Sequence, residues 1–164
     1  MEEEVAGWRA ARTTLLEMCR DRGYKVPEAE HTDEELSQMF AAYTTTGHFL
    51  AFADATDAPV ACVMVKHDKA ISNKIVETLA AKMKESGIAR TVLVSNQPLS
   101  AGAERILREL EAESRMVVEH FSLNDLMINV TQHEMVPRHA LCSEAEKQLV
   151  LRKFRAKESQ LPKI

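Results

Sequence analysis

Glycine and proline are scarce in this 164-residue chain, five of each, and the glycines are scattered. That excludes a phosphate-cradling loop, since neither GxxxxGK[ST] nor GxGxxG occurs. GxSxG, HExxH and CxxC are absent as well, which removes the common serine-hydrolase, zinc-protease and dithiol signatures. Aromatic residues amount to 5%, too thin for stacking single-stranded bases. No apolar run approaches the ~18 residues that span a bilayer, VACVMV being the longest strong one. The start, MEEEVAGWRAAR, is acidic where a secretory signal is basic and then apolar. Only three cysteines occur, Cys19, Cys62 and Cys142, widely spaced and odd in number. They read as reduced thiols, the first two in the core, and the expected compartment is cytosol or nucleus.

What is present is the composition of a folded domain, 45% apolar and 28% charged. The net charge of -4 is unevenly spread. From Arg138 onward seven Lys/Arg oppose three acids, giving +4 and leaving -8 for residues 1–137. Such a break in charge points to two parts with different partners.

Val5, Trp8, Ala11, Leu15 and Cys19 repeat every three or four residues, predicting a helix stopped at Gly23. A second helix is expected from Thr32, capped with Glu35, with Leu36, Met39, Phe40 and Tyr43 inward. HFLAFAD and PVACVMVK, joined by DATDAP, predict a hairpin. ISNKIVETLAAKMKESG predicts a helix with Ser72 as cap and Gly87 as stop. TVLVS is a buried strand, and SAGAERILRELEAE a helix burying Ala103, Ile106, Leu107 and Leu110. RMVVEHF and DLMINV are expected as further strands. The fold class is α/β, a mixed sheet with parallel members flanked by helices. After His133 a proline-containing linker leads to a helix with Ser143 and Glu146 as capping box and Val150 and Phe154 as a small apolar face. That segment cannot bury a core of its own.

INVTQHEMVPRHALC, residues 128–142, raises a metal or catalytic reading. Zinc sites use tightly spaced ligand pairs, whereas His133, His139 and Cys142 are three irregularly placed candidates. A linker whose histidines bond to backbone or partner fits better. A metal-dependent nuclease is the enzyme alternative. The helix–hairpin–alternating order is the outline of PD-(D/E)xK nucleases, with Asp54 or Asp57 as first acid and Lys66 as the lysine. The second acid would then fall at Met64, and a thioether does not replace a carboxylate for magnesium. A related fold would therefore be catalytically dead. KHDK (66–69) and NQPLSAG (96–102) each join a strand to a helix, and a sheet of this kind can bring them to one end, beside helix N-termini that favour anions.

TQHEMVPRHAL, a helix and then ESQLPKI resemble the junction and early C-terminal segment of the fifth-largest subunit shared by eukaryotic nuclear RNA polymerases, which has an archaeal equivalent. MCRDRGYKV resembles that family's opening helix, and IVETLAAKMKESGIARTVLVSNQPLSAGA its central helix, strand and DNA-proximal loop. The likeness runs from about Trp8 to Ile164. It is strongest at Asn129, Thr131, His133, Glu134, Pro137, His139, Gln160, Leu161 and Pro162, and loose between Asp33 and Lys69. The resemblance implies a subunit without catalytic, metal or cofactor residues of its own, located in the nucleus. It implies a nuclease-like jaw domain at residues 1–132 beside downstream DNA, and from 133 to 164 the beginning of an assembly domain held by the largest subunit. The family's assembly domain continues past QLPKI. DNA contact would be weak and sequence-independent, with Lys66, Lys69, Pro98 and Ser100 as candidates. Assembly and the joint between domains would rest on His133, Glu134, Pro137, His139, Gln160, Leu161 and Pro162. No membrane or small-molecule partner is implied. Two departures stand out: Leu99 is inserted in the family's threonine-proline-serine-alanine motif, and KHDK replaces a proline-containing loop. A catalytically dead, nuclease-like DNA-binding adaptor outside polymerase is the remaining alternative.

Overall fold

A computed structural model describes residues 2–26, 35, 38, 48–136 and 141–161. The helix expected from Thr32, and Pro137, His139 and Pro162, lie outside the described residues apart from Glu35 and Gln38. Contacts divide the chain into two units, Met1–Asn129 and Val130–Ile164. Among the described residues no helix is long and apolar enough to cross a membrane.

The first unit is a four-stranded sheet in the order β1-β2-β3-β4. Its strands are β1 (His48–Ala53), β2 (Pro59–Val65), β3 (Arg90–Ser95) and β4 (Val117–Ser122). β1 and β2 form the antiparallel hairpin, while β2–β3 and β3–β4 are parallel. Parallel neighbours require crossovers, and helices α2 (Asn73–Glu85) and α3 (Ala101–Ser114) supply them. Both crossovers advance in the same direction, so both helices cover the same face of the sheet.

The pleat then sorts the strand residues. Ala61, Val63, Val65 and Leu93 join Val76, Leu79, Met83 and Ala103 under α2 and α3. Cys62, Met64, Val92 and Val94 face the other way, against Trp8, Ala11, Leu15 and Cys19 of helix α1 (Glu2–Asp21). This period-2 alternation explains why VACVMV reads as continuously apolar: both faces of β2 are buried. Each fully buried Leu or Met side chain, Leu15 and Met64 among them, contributes about 1.5–3 kcal/mol of transfer free energy. Ile106, Leu107 and Leu110 pack against the α2/α3 core while remaining only partly buried, because α3 lies nearer the edge of the sheet.

Two glycine stops share one device. At Gly23 (φ 78°) the Tyr24 amide donates to the Cys19 carbonyl and the Gly23 amide to that of Arg20. At Gly87 (φ 66°) the Ile88 amide donates to Met83 and the Gly87 amide to Lys84. Each loop reverses through a left-handed residue while capping the last carbonyls. Ser72 occupies the N-cap of α2, yet its hydroxyl makes no capping bond.

DLMINV is not a strand. Ser122 caps a 3-10 turn, Leu123–Leu126, and the Ser122 amide donates to the Asp125 carboxylate at 3.1 Å. Ser122 and Asp125 offer local bonds that compete with a sheet ladder. Only Leu126 of this stretch is buried, against Trp8 and Leu15.

The second unit opens with a 3-10 turn, Val130–Gln132, and contains helix α4 (Glu144–Phe154). The Ser143/Glu146 capping box is formed. Val150 and Phe154, expected as a small apolar face, are exposed, and α4 has no buried residue.

Candidate nucleic-acid and assembly interface

The carboxyl ends of β2 and β3 carry the two loops singled out in the sequence, and the structure stitches them together. Beyond the last paired residues, Val65 and Ser95, the Asn96 side chain continues the ladder. Its Oδ1 accepts from the His67 amide at 2.8 Å and its Nδ2 donates to the His67 carbonyl at 2.9 Å. Further out, the Ile71 amide donates to the Pro98 carbonyl and the Ser100 amide to the Ile71 carbonyl, a one-rung parallel bridge. Ile71 is fully buried beneath it. Ser100 then caps α3, accepting from the Ala103 amide at 3.2 Å, and its hydroxyl reaches Asn73 Oδ1 at 3.4 Å. Gly102 leaves room for Asn73 at this junction, since a Cβ there would press on the Asn73 side-chain amide and force it to shift.

A third strand end supports the loop from below. The Ser95 hydroxyl donates to the Gln97 carbonyl at 2.6 Å, and its oxygen lies 2.8 Å from His120 Nε2. Because the hydroxyl proton is committed to Gln97, His120 is the donor and carries its proton on Nε2. Burial holds the His120 pKa below the usual histidine range, against the opposing pull of Asp125 and Glu104. The pair fixes the departure of the 96–100 segment from the sheet.

The four DNA-contact candidates differ in their surroundings. Pro98 and Lys69 are exposed and Ser100 half-buried as a helix cap. Lys66 is paired with Glu4 of α1 at 2.6 Å, and this bond is the main cause of a lowered Glu4 pKa. Its ammonium must leave Glu4 to reach a phosphate. Asp68, Glu104 and Asp125 share this end of the sheet, so the described residues form no dense basic patch there.

The nuclease alternative fails on placement. Asp54 and Asp57 lie in the hairpin turn at the start of β2, and Lys66 follows its end, roughly 20 Å away for a strand of this length. Asp54 is occupied in shaping that turn: Oδ1 accepts from the Thr56 amide and hydroxyl, both at 2.7 Å, and from the Ala58 amide. Met64, where a second acid would be needed, is buried in the α1 core. Among the described residues no group of three or more His, Cys, Asp or Glu side chains gathers as a metal site.

In the second unit, His133 organises a turn. Its Nδ1 accepts from the Met135 amide at 3.2 Å and its carbonyl from the Val136 amide at 2.9 Å. Glu134 is exposed within that turn. Gln160 accepts from the Lys157 amide at 2.7 Å, and the half-buried Leu161 closes the turn by donating to the Glu158 carbonyl. Lys147 bridges Glu144 and Glu158, tying α4 to this turn. Met135, Leu141, Leu149 and Phe154 present apolar side chains to solvent, each at least two-thirds exposed.

Comparison with known proteins decides the family. Residues 2–83 match the model of the RNA polymerase Rpb5 N-terminal domain, and residues 128–164 that of the Rpb5 C-terminal domain. The chain belongs to the RNA polymerase Rpb5 family. A DNA-directed RNA polymerases I, II, and III subunit RPABC1 from Caenorhabditis elegans is 30% identical, with 96% of this chain and 77% of that protein covered. Its counterpart from Caenorhabditis briggsae is 29% identical over the same shares. The Dictyostelium discoideum subunit rpabc1 is 28% identical, covering 99% of this chain and 81% of that protein. Within the Rpb5 frame, the sequence pointed to the two loops but missed Ser95, Asn96, His120, Asn73 and Gly102. No local signal marks them, because each acts through a partner on another strand or helix.

Proposed function

We propose that this chain is a non-catalytic subunit of nuclear DNA-directed RNA polymerase. In this reading residues 1–132 form a nuclease-like jaw near downstream DNA, and the segment from 133 anchors the subunit on the largest polymerase subunit. The observation that carries the reading is the pair of Rpb5 matches, N- and C-terminal, in one chain. The relatives' names, subunits of polymerases I, II and III, support a role shared among those enzymes.

The geometry supports weak duplex contact by the 96–102 loop. Its backbone is braced by Ile71, Asn96 and the Ser95–His120 pair, so Pro98 is held outward on a fixed support. A rigid tip with the exposed Lys69 nearby suits glancing phosphate contact rather than sequence readout. Anchoring draws support from the uncovered apolar side chains of the second unit, the kind of surface that marks an interface. The family resemblance points to His133, Glu134, Pro137, His139, Gln160, Leu161 and Pro162 as the assembly residues, and the turn bonded to His133 would set the chain path there.

A photo-crosslinking side chain placed at Pro98 in the assembled polymerase tests the jaw assignment. Crosslinks to template downstream of the active centre are expected. Crosslinks to protein alone would remove DNA contact from this loop while leaving subunit membership intact.

A further inference from the structure

Two thiols meet where α1 lies on the sheet. Cys19 Sγ and Cys62 Sγ are 3.5 Å apart, both essentially without solvent exposure, on segments separated by 43 positions in the sequence. They sit within the Trp8–Leu15–Met64 core, so packing rather than a flexible loop holds them together. The third cysteine, Cys142, is exposed and belongs to the other unit.

We propose that Cys19 and Cys62 are an oxidisable pair, which a two-electron oxidant such as hydrogen peroxide converts into a disulfide stapling α1 to β2. The sulfurs, already in contact at 3.5 Å, must close to about 2.05 Å for the bond to form. Either sulfur can donate to the other. In the route through Cys19, that sulfur, once ionised, accepts from Cys62 against the opposing effect of burial, and the nearby Arg22 guanidinium adds to this. Cys62 is correspondingly pushed up, first by that bond to Cys19 and then by burial. Glu119, paired with Arg22 at 2.8 Å, opposes ionisation of both thiols.

In the first step the Cys19 sulfur bonds one peroxide oxygen, the O–O bond breaks, and the departing hydroxide is protonated to water. In the second, the Cys62 sulfur attacks the resulting sulfenic sulfur. The S–S bond forms, the S–O bond breaks, and the leaving hydroxide takes the proton released by Cys62. Two thiols lose two electrons, and one peroxide becomes two waters. Access requires α1 to loosen locally, so the reaction is slower than at Cys142.

The test uses the full 164-residue chain carrying Cys142→Ser, a change at an exposed position. The folded protein is treated with hydrogen peroxide, quenched, alkylated under denaturing conditions and peptide-mapped without reduction. Most of the chain should carry one peptide joining Cys19 to Cys62, with alkylation at both sites restored by dithiothreitol. Three results would overturn the proposal. One is full alkylation of both residues after a peroxide exposure far longer than the one that consumes Cys142 in the parent chain, long enough for α1 to open repeatedly. Another is separate oxidation of the two thiols without a link. The third is a link that forms only in denaturant, which would mean that the fold does not bring the thiols together.

Discussion

At the scale of single residues, the first unit carries two local conflicts. Thr91 is fully buried under α2 and α3, and its hydroxyl finds no partner among the described residues. A buried hydroxyl left unpaired costs its desolvation, so Thr91→Val, which keeps the shape, should raise stability by about 1 kcal/mol. Urea denaturation monitored by tryptophan fluorescence measures this through a higher midpoint at unchanged slope. Arg115 ends α3 in the left-handed region (φ 55°), where Gly23 and Gly87 end their helices. Arg115→Gly should therefore gain up to about 1 kcal/mol, part of the relief being offset by the freer unfolded chain. His120 gives a pH signature. Its folded pKa is depressed, so the unfolded chain binds the extra proton first as pH falls. Its contribution is complete above about pH 6.5 and declines as the pH drops through the depressed folded value. His120→Gln, which retains a donor for Ser95, should flatten this part of the stability–pH curve in denaturant titrations at successive pH values.

At the scale of elements, the junction of α2 and α3 decides how the 96–102 loop is held. Gly102 lies in the first turn of α3, where alanine is normally better by about 1 kcal/mol. Here the new methyl would displace Asn73, which also receives the Ser100 hydroxyl. Gly102→Ala alone should bring little gain, and in an Asn73→Ala background the full helix-propensity gain should appear. A double-mutant cycle by thermal denaturation checks this coupling. Much of this architecture was legible beforehand. The 3.6-residue spacing of Val5 to Cys19, the strand-forming run of VACVMV and the glycine stops each follow from short-range physics. What was not legible depends on distant partners. DLMINV has strand composition, but the Ser122 and Asp125 side chains turn the chain after β4. Lys66 looked free for phosphate because nothing near it in sequence announces Glu4, 62 positions earlier. The bracing of the loop by Asn96 and His120 likewise exists only once parallel strands bring their ends together.

At the scale of the whole molecule, the excess of acid over base in residues 1–137 argues that the first unit does not hold DNA tightly by itself. On the proposed reading, duplex contact would be made only within the assembled enzyme, which would supply the affinity, while this subunit would supply a rigid surface. The second unit shows the complementary pattern, basic overall with apolar side chains uncovered. Replacing Leu161 and Pro162 by alanine should release the subunit from polymerase without unfolding the sheet, measured as loss of co-purification with an unchanged circular-dichroism spectrum of the free chain. The most direct test of the central claim is to tag the unaltered protein in the cells that make it, purify it at moderate salt, and identify its companions by quantitative mass spectrometry. Stoichiometric recovery of the largest and second-largest RNA polymerase subunits is the predicted result. Recovery of the protein alone, or with partners unrelated to polymerase, would contradict it and leave a nuclease-like adaptor as the better account.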